Sequence, residues 1–192
     1  HGDTTNDSHL GSAVVNQTLA RLESVELLPF KAGIAAGADG VLIGHLLLPE
    51  VLKDPRIPAT FSPYVLEELL RRQLNFKKII ITDALNMGAI VDTWGPKTAA
   101  VDALVAGADI LLMPAVPSEA CIAVVDAVKS GEITEARLDE SVYRILMVKL
   151  ERQVIGEPPK QPDPRQVFGS AEGRRILLEI ESESARNRKR LK

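Results

Sequence analysis

The sequence predicts an α/β fold with a parallel sheet, because helical periodicity alternates with short, continuous apolar runs between residues 19 and 150. Two further observations point the same way. A repeated Ala-Gly-Ala-Asp element stops a helix just ahead of a strand, and an acid or an imidazole follows two of the apolar runs, where parallel α/β folds carry reactive groups. At 192 residues, 45% hydrophobic and 26% charged, the chain is an ordinary globular sequence able to bury a core, so disorder is not expected.

The first unit is a helix marked by Leu27, Leu28, Phe30, Ile34 and Ala35, with Pro29 in its first part and Gly37 ending it. The strand Gly40-Val41-Leu42-Ile43-Gly44 follows. The second unit opens at Ser62-Pro63, an N-cap followed by proline at the first helical position. Its helix carries Val65, Leu66, Leu69 and Leu70, and its strand is Lys78-Ile79-Ile80-Ile81-Thr82. In the third, Ala106-Gly107-Ala108-Asp109 repeats the punctuation of Ala36-Gly37-Ala38-Asp39, and Ile110-Leu111-Leu112-Met113-Pro114 is the expected strand. Helices over about 118–129 and 134–152 come next, the second with Val142, Ile145, Leu146, Val148 and Lys149 along it. Three such units with right-handed crossovers fit either a doubly wound sheet or a barrel. From Gly156 to Pro164 the composition turns proline-rich, which predicts a linker over 156–168, and 169–192 reads as a charged helix rich in Glu and Arg.

Composition narrows the function classes. The single cysteine, Cys121, excludes a disulfide framework and a cysteine-rich metal site, and is expected as a small buried residue on the helix after Pro117. No apolar run approaches the roughly 18 residues that a membrane-spanning helix needs. The net charge of −3 includes a basic tail, Arg186, Arg188, Lys189, Arg190 and Lys192, so the body ahead of it is more acidic and a poor match for nucleic acid. The tail has no interleaved aromatics. Because the sequence starts at His1 without an initiator methionine, we expect a piece of a longer enzyme, and compartment and oligomeric state stay open.

The chemistry centres on a few side chains. Asp83 is delivered by three isoleucines and a threonine to the rim of an apolar core, either as a reactive carboxylate or as the N-cap of the next helix. Asp7 and His9 are two apart, so in an extended loop both project to one side and the carboxylate supports the imidazole; the alternative is a plain polar turn. His45 follows the first predicted strand. The spacing of His1, His9 and His45 matches no usual metal-ligand pattern. Phosphate-cradling glycine motifs and a G-x-S-x-G elbow are absent from the sequence, so neither a nucleotide cofactor nor a serine hydrolase is expected.

The run His1-Gly2-Asp3-Thr4-Thr5-Asn6-Asp7-Ser8-His9 resembles the later part of the K-H-F-P-G-[HR]-G-x(4)-D-S-H signature of glycoside hydrolase family 3 β-N-acetylglucosaminidases. Glu26-Leu27-Leu28-Pro29-Phe30, the two Ala-Gly-Ala-Asp elements, Ile81-Thr82-Asp83-Ala84-Leu85-Asn86-Met87 and the stretch from Asp109 to Pro114 resemble that family in the same order, over residues 1 to about 150. The resemblance implies that residues 1–155 form the C-terminal portion of a (β/α)8 TIM barrel, with the N-terminal strands and the signature's Lys-His pair falling ahead of His1. It implies that 169–192 opens a second domain or forms a tail. By position it makes Asp83 the nucleophile, His9 the general acid/base and Asp7 its dyad partner, sets His45 and His1 toward the sugar, and calls for no cofactor or metal. The implied reaction is retaining hydrolysis of terminal β-linked N-acetylglucosamine from cell-wall, muropeptide-type glycans. Phosphorolysis of the same substrates is the alternative within enzymes, since a neutral imidazole tolerates an anionic acceptor. An inactive, partner-binding half-barrel is the alternative outside them.

Overall fold

The computed structural model describes residues 1–4, 13–155 and 170–190. It divides into two units, residues 1–152 and 153–192. In the first, the elements run β1 (Ala13–Val14), α1 (Leu19–Ser24), α2 (Leu27–Ala35), β2 (Gly40–Ile43), β3 (Leu46–Leu47), a 3₁₀ turn (Ala59–Phe61), a π-helix (Tyr64–Gln73), β4 (Ile79–Thr82), α3 (Gly88–Val91), α4 (Gly95–Ala106), α5 (Pro117–Ser130) and α6 (Glu135–Glu151). In the second, α7 spans Ala171–Arg190. The proline-rich segment expected as a linker lies outside the described residues, apart from its approach.

The fold is α/β and both strand pairs are parallel. β2 lies beside β4 with Gly40 opposite Ile79 and Ile43 opposite Thr82, and β1 lies beside β3 with Ala13 opposite Leu46. The two long apolar runs are therefore neighbours, and the π-helix lies on the crossover between them. Burial follows from this layout: Ile80, Leu66, Phe76, Leu85 and Ile90 are almost wholly inaccessible and share one core. Each such side chain contributes about 1.5–3 kcal/mol relative to exposure. β1 and β3 went unpredicted because two-residue strands carry no readable period.

Three expectations are corrected. First, the expected third strand at 110–114 joins the sheet through a single parallel bridge, Ile81 to Ile110. Backbone bonds join Ile80 O to the Asp109 and Ile110 N–H groups and Thr82 N–H to Ile110 O, and side chains take the rungs on either side. The Asp109 carboxylate accepts the Ile80 N–H (2.9 Å), and the Thr82 hydroxyl accepts the Leu112 N–H (2.9 Å). Met113 then turns the chain with φ 45°. Second, the helix after Ser62-Pro63 is a π-helix, wound with hydrogen bonds that span five residues, as in Leu74 N–H to Leu69 O (2.9 Å), which suits its buried Val65/Leu66 pair and Leu69/Leu70/Arg71 triplet. Pro63, expected as the first helical residue, stands at the cap position instead, and the Ser62 hydroxyl one residue earlier accepts from Val65 N–H at 3.4 Å. Third, Cys121 is exposed, because α5 turns its Ala120 and Ala127 face inward instead.

The repeated Asp of the two Ala-Gly-Ala-Asp elements fastens the amino ends of the strands. Asp39 takes Lys78 Nζ (2.8 Å) and Arg152 Nε (2.7 Å) at the surface. Those cations hold its carboxyl at about 2. Asp109 has a side chain with no exposure and accepts from Arg71 Nη2, Arg144 Nη1 (2.9 Å) and Ser141 Oγ (2.7 Å). The buried Arg71 also donates to the Phe76 and Lys78 carbonyls, so the π-helix, β4 and α6 are tied at one point. Gly107, at φ 120°, ends α4 where a Cβ would meet Glu67 Oε1 at 2.5 Å. Of the apolar stripe expected along α6, Val142 and Leu146 face outward, Ile145 and Val148 are half-buried, and within the helix only Ser141 is fully buried. No helix among the described residues is long and apolar enough to cross a membrane.

Candidate active site

The carboxyl ends of β2 and β4 carry the candidate residues. Asp83 follows β4 directly, and its N–H donates to Ile43 O (2.9 Å), extending the β2–β4 ladder one step past the strands. Its Oδ1 accepts from Ala84 N–H (2.8 Å), which turns the half-buried carboxylate at the strand end. The sequence left Asp83 as a reactive group or a helix cap. In the structure α3 starts at Gly88 with Met87 at the cap position, so Asp83 does not cap it.

His45 leaves the end of β2 in the short link to β3 and is 1% exposed. Its Nδ1 lies 2.8 Å from Thr60 Oγ1 and its Nε2 3.1 Å from Ala84 O. A carbonyl oxygen only accepts, so Nε2 carries a proton, and in the neutral ring Nδ1 accepts from the Thr60 hydroxyl. That hydroxyl also stands near Gly44 O (3.1 Å) and Ile43 O (3.3 Å). Burial pushes the His45 pKa below its ordinary 6.5, against the opposing pull of the Ala84 bond and the Asp83 charge. The ring is thus held neutral beside a carboxylate, with both nitrogens engaged by the protein.

His1 is exposed, and its ring lies against Gly44, where a Cβ would stand 3.6 Å from His1 Cδ2. The structure therefore gathers His1, His45 and Asp83 around the ends of two adjacent strands. Asp7 and His9 lie outside the described residues. Nearby, an apolar cavity of about 150 Å³ is lined by residues such as Val15, Leu22, Leu27, Val41 and Ile43; Asp83 and His45 are not among them, and its walls offer little to a sugar. Among the described residues no group of three His, Cys, Asp or Glu side chains is arranged to hold a metal ion. Sequence reasoning missed Thr60, which is inaccessible and sits in the short 3₁₀ turn, since a lone threonine outside any periodic segment gives no signal.

A parallel α/β unit that collects ionisable side chains at the carboxyl ends of its strands is the general layout these observations define. More specifically, residues 1–148 match the family model described as the glycosyl hydrolase family 3 N terminal domain, and the chain belongs to that family. A β-hexosaminidase of Stenotrophomonas maltophilia (strain K279a) is 34% identical over 113 residues, 59% of this chain and 33% of its own length. The structure of a glycoside hydrolase family 3 β-N-acetylglucosaminidase from Paenibacillus sp. str. FPU-7 is 36% identical with a TM-score of 0.85, over 94% of this chain and 35% of that one. The β-glucoside phosphorylase BglX bound to 2FGlc is 26% identical with a TM-score of 0.85, over 94% of this chain and 34% of that one. The chain spans about a third of the length of these relatives.

Proposed function

We propose that the protein carrying this chain is a retaining β-N-acetylglucosaminidase acting on terminal N-acetylglucosamine of cell-wall, muropeptide-type glycans. The observation that carries this reading is Asp83, a half-buried carboxylate at the end of a parallel strand, its backbone locked to the neighbouring strand and its own Oδ1 oriented by Ala84 N–H. The resemblance to a family 3 β-N-acetylglucosaminidase structure supports the substrate class.

In this reading residues 1–155 are the C-terminal portion of a (β/α)8 barrel, 156–168 a linker, and 169–192 the start of a second domain or a tail. Outward-facing Leu42 on β2 and Leu28 and Phe30 on α2 support it, as surfaces suited to further barrel elements. Asp83 attacks the anomeric carbon and displaces the aglycone, whose oxygen takes a proton from His9. Asp7 stabilises the imidazolium form of His9, which exists before that proton is given and again after a proton is taken from water. A water deprotonated by His9 then releases the sugar from Asp83. His1, on the same rim, faces the substrate.

The phosphorylase likeness favours one second reading, in which phosphate replaces that water. A neutral imidazole base does not repel phosphate as a carboxylate would. The test is turnover of a chromogenic β-N-acetylglucosaminide, with the matching β-glucoside as control, by this chain and by a version with a complete barrel, each with and without phosphate. Release from the N-acetyl substrate alone, independent of phosphate, is expected from the complete barrel. Formation of a sugar 1-phosphate would establish the second reading, and no turnover of either substrate would remove both.

A further inference from the structure

We infer that His45 is a positioning residue for Asp83, holding residue 84, and through it the Asp83 carboxylate, by a hydrogen bond from Nε2–H to the Ala84 carbonyl. The inference rests on the reading of Asp83 as nucleophile and goes beyond it by giving a role to a side chain that need not touch the sugar.

Residues 83 and 84 are clamped by a short chain of bonds. Asp83 N–H is bound to Ile43 O (2.9 Å), Ala84 N–H to Asp83 Oδ1 (2.8 Å), Ala84 O to His45 Nε2 (3.1 Å), and Leu85 N–H to Leu112 O (2.9 Å). The peptide joining 84 to 85 is thus held at its carbonyl by His45 and at its N–H by Leu112. Only φ and ψ of residue 84 separate that fixed peptide from the one bearing Ala84 N–H, so fixing it limits how far the N–H can turn from the carboxylate. His45 is itself immobilised, since Thr60 engages Nδ1 at 2.8 Å and the ring is 1% exposed. Any further chain packed on this unit only buries it more. Thr60 belongs to the 3₁₀ turn and Ala84 to the loop after β4, so the imidazole bridges two segments otherwise separated in sequence.

A side chain with both nitrogens engaged and no open surface has nothing left to offer a sugar hydroxyl. It has the form of a support behind a reactive group. Such supports act on the rate of the chemical step, because a nucleophile displaced by about 1 Å from its line of attack loses up to about 100-fold.

The test uses the protein with its complete barrel and compares His45→Asn with His45→Gln. The glutamine amide nitrogen reaches about where Nε2 stands and keeps a donor for Ala84 O; the asparagine amide lies near Nδ1 and leaves that carbonyl unpaired. Active sites are counted with a fluorosugar that traps the glycosyl-enzyme, so that loss of folded protein is separated from loss of rate. His45→Asn is expected to lower kcat per counted site by about 10- to 100-fold with KM within about twofold, and His45→Gln to restore most of it. Equal kcat per counted site in both variants and the parent protein would overturn the inference, as would equal loss in both variants. Asp83→Asn serves as the separate control: continued trapping there would overturn the nucleophile reading itself, whatever the His45 series does. On this chain alone, the ¹⁵N imidazole spectrum is expected to give the Nε2–H tautomer for His45, and an Nδ1–H tautomer would overturn the inference without any activity measurement.

Discussion

Replacing Asp109 by asparagine removes one charge from a site with no solvent access while hardly changing its volume. In the native structure that carboxylate is the counter-charge of Arg71, whose side chain is 7% exposed, and it also accepts from Arg144, Ser141 and the Ile80 N–H. Arg71 cannot shed its proton under ordinary conditions, so Asp109→Asn leaves a buried cation facing a neutral amide. Breaking a buried pair from one side costs about 3–5 kcal/mol, a large part of the roughly 5–15 kcal/mol that holds a domain together. With a urea slope near 2 kcal/mol per M, the unfolding midpoint should fall by about 2 M. Urea titration followed by far-UV circular dichroism reads this directly. Arg152→Gln, which breaks the exposed contact with Asp39, is the comparison and should move the midpoint far less. A shift for Asp109→Asn below about 0.5 M would mean the buried knot counts for no more than a surface pair, and the reasoning would fail.

The remaining predictions concern a turn, a titration and the chemistry. Gly107→Ala should cost more than about 1 kcal/mol, read as a lowered melting temperature, because φ 120° disfavours any side chain and a Cβ would collide with Glu67 Oε1. Since burial depresses the His45 pKa, the unfolded chain binds more protons than the folded one once pH drops below 6.5; stability should therefore decline with acidification from 6.5 toward the lower folded value, and His45→Gln should flatten that part of a stability-against-pH curve. Steady-state assays of the complete-barrel protein should find Asp83→Asn without measurable turnover, whereas His9→Ala should lose about 10²–10⁴-fold and retain a residue of activity.

The sequence was informative wherever a local rule acts alone. Glycine at 37 and 107 and proline at 117 mark helix ends, because left-handed backbone and a missing N–H are properties of single residues. The helix expected from 134 starts at Glu135, with Thr134 Oγ1 capping it by accepting from Arg137 N–H at 3.1 Å. The apolar runs that became β2 and β4, and the acid at the end of the second, were equally legible, since an unbroken apolar run marks a parallel strand, although β4 is buried or half-buried along its length while β2 leaves Gly40 and Leu42 exposed.

Tertiary structure decided what depends on partners distant in the chain. Whether residues 110–114 would form a full strand turned on the Asp109 and Thr82 side chains taking the hydrogen bonds on either side of the Ile110 bridge, and no window of sequence contains both sides of that competition. The same holds for His45. Its position after a strand marked it for a site and the family resemblance set it toward a sugar, but only its approach to Thr60 and Ala84 makes it a buried ring beside Asp83. Composition and periodicity determine which segments are apolar and where they stop. Which polar atom meets which is set by the packing of strands, helix and loop around one core, because a hydrogen bond requires its two ends within about 3 Å and sequence separation carries no such distance.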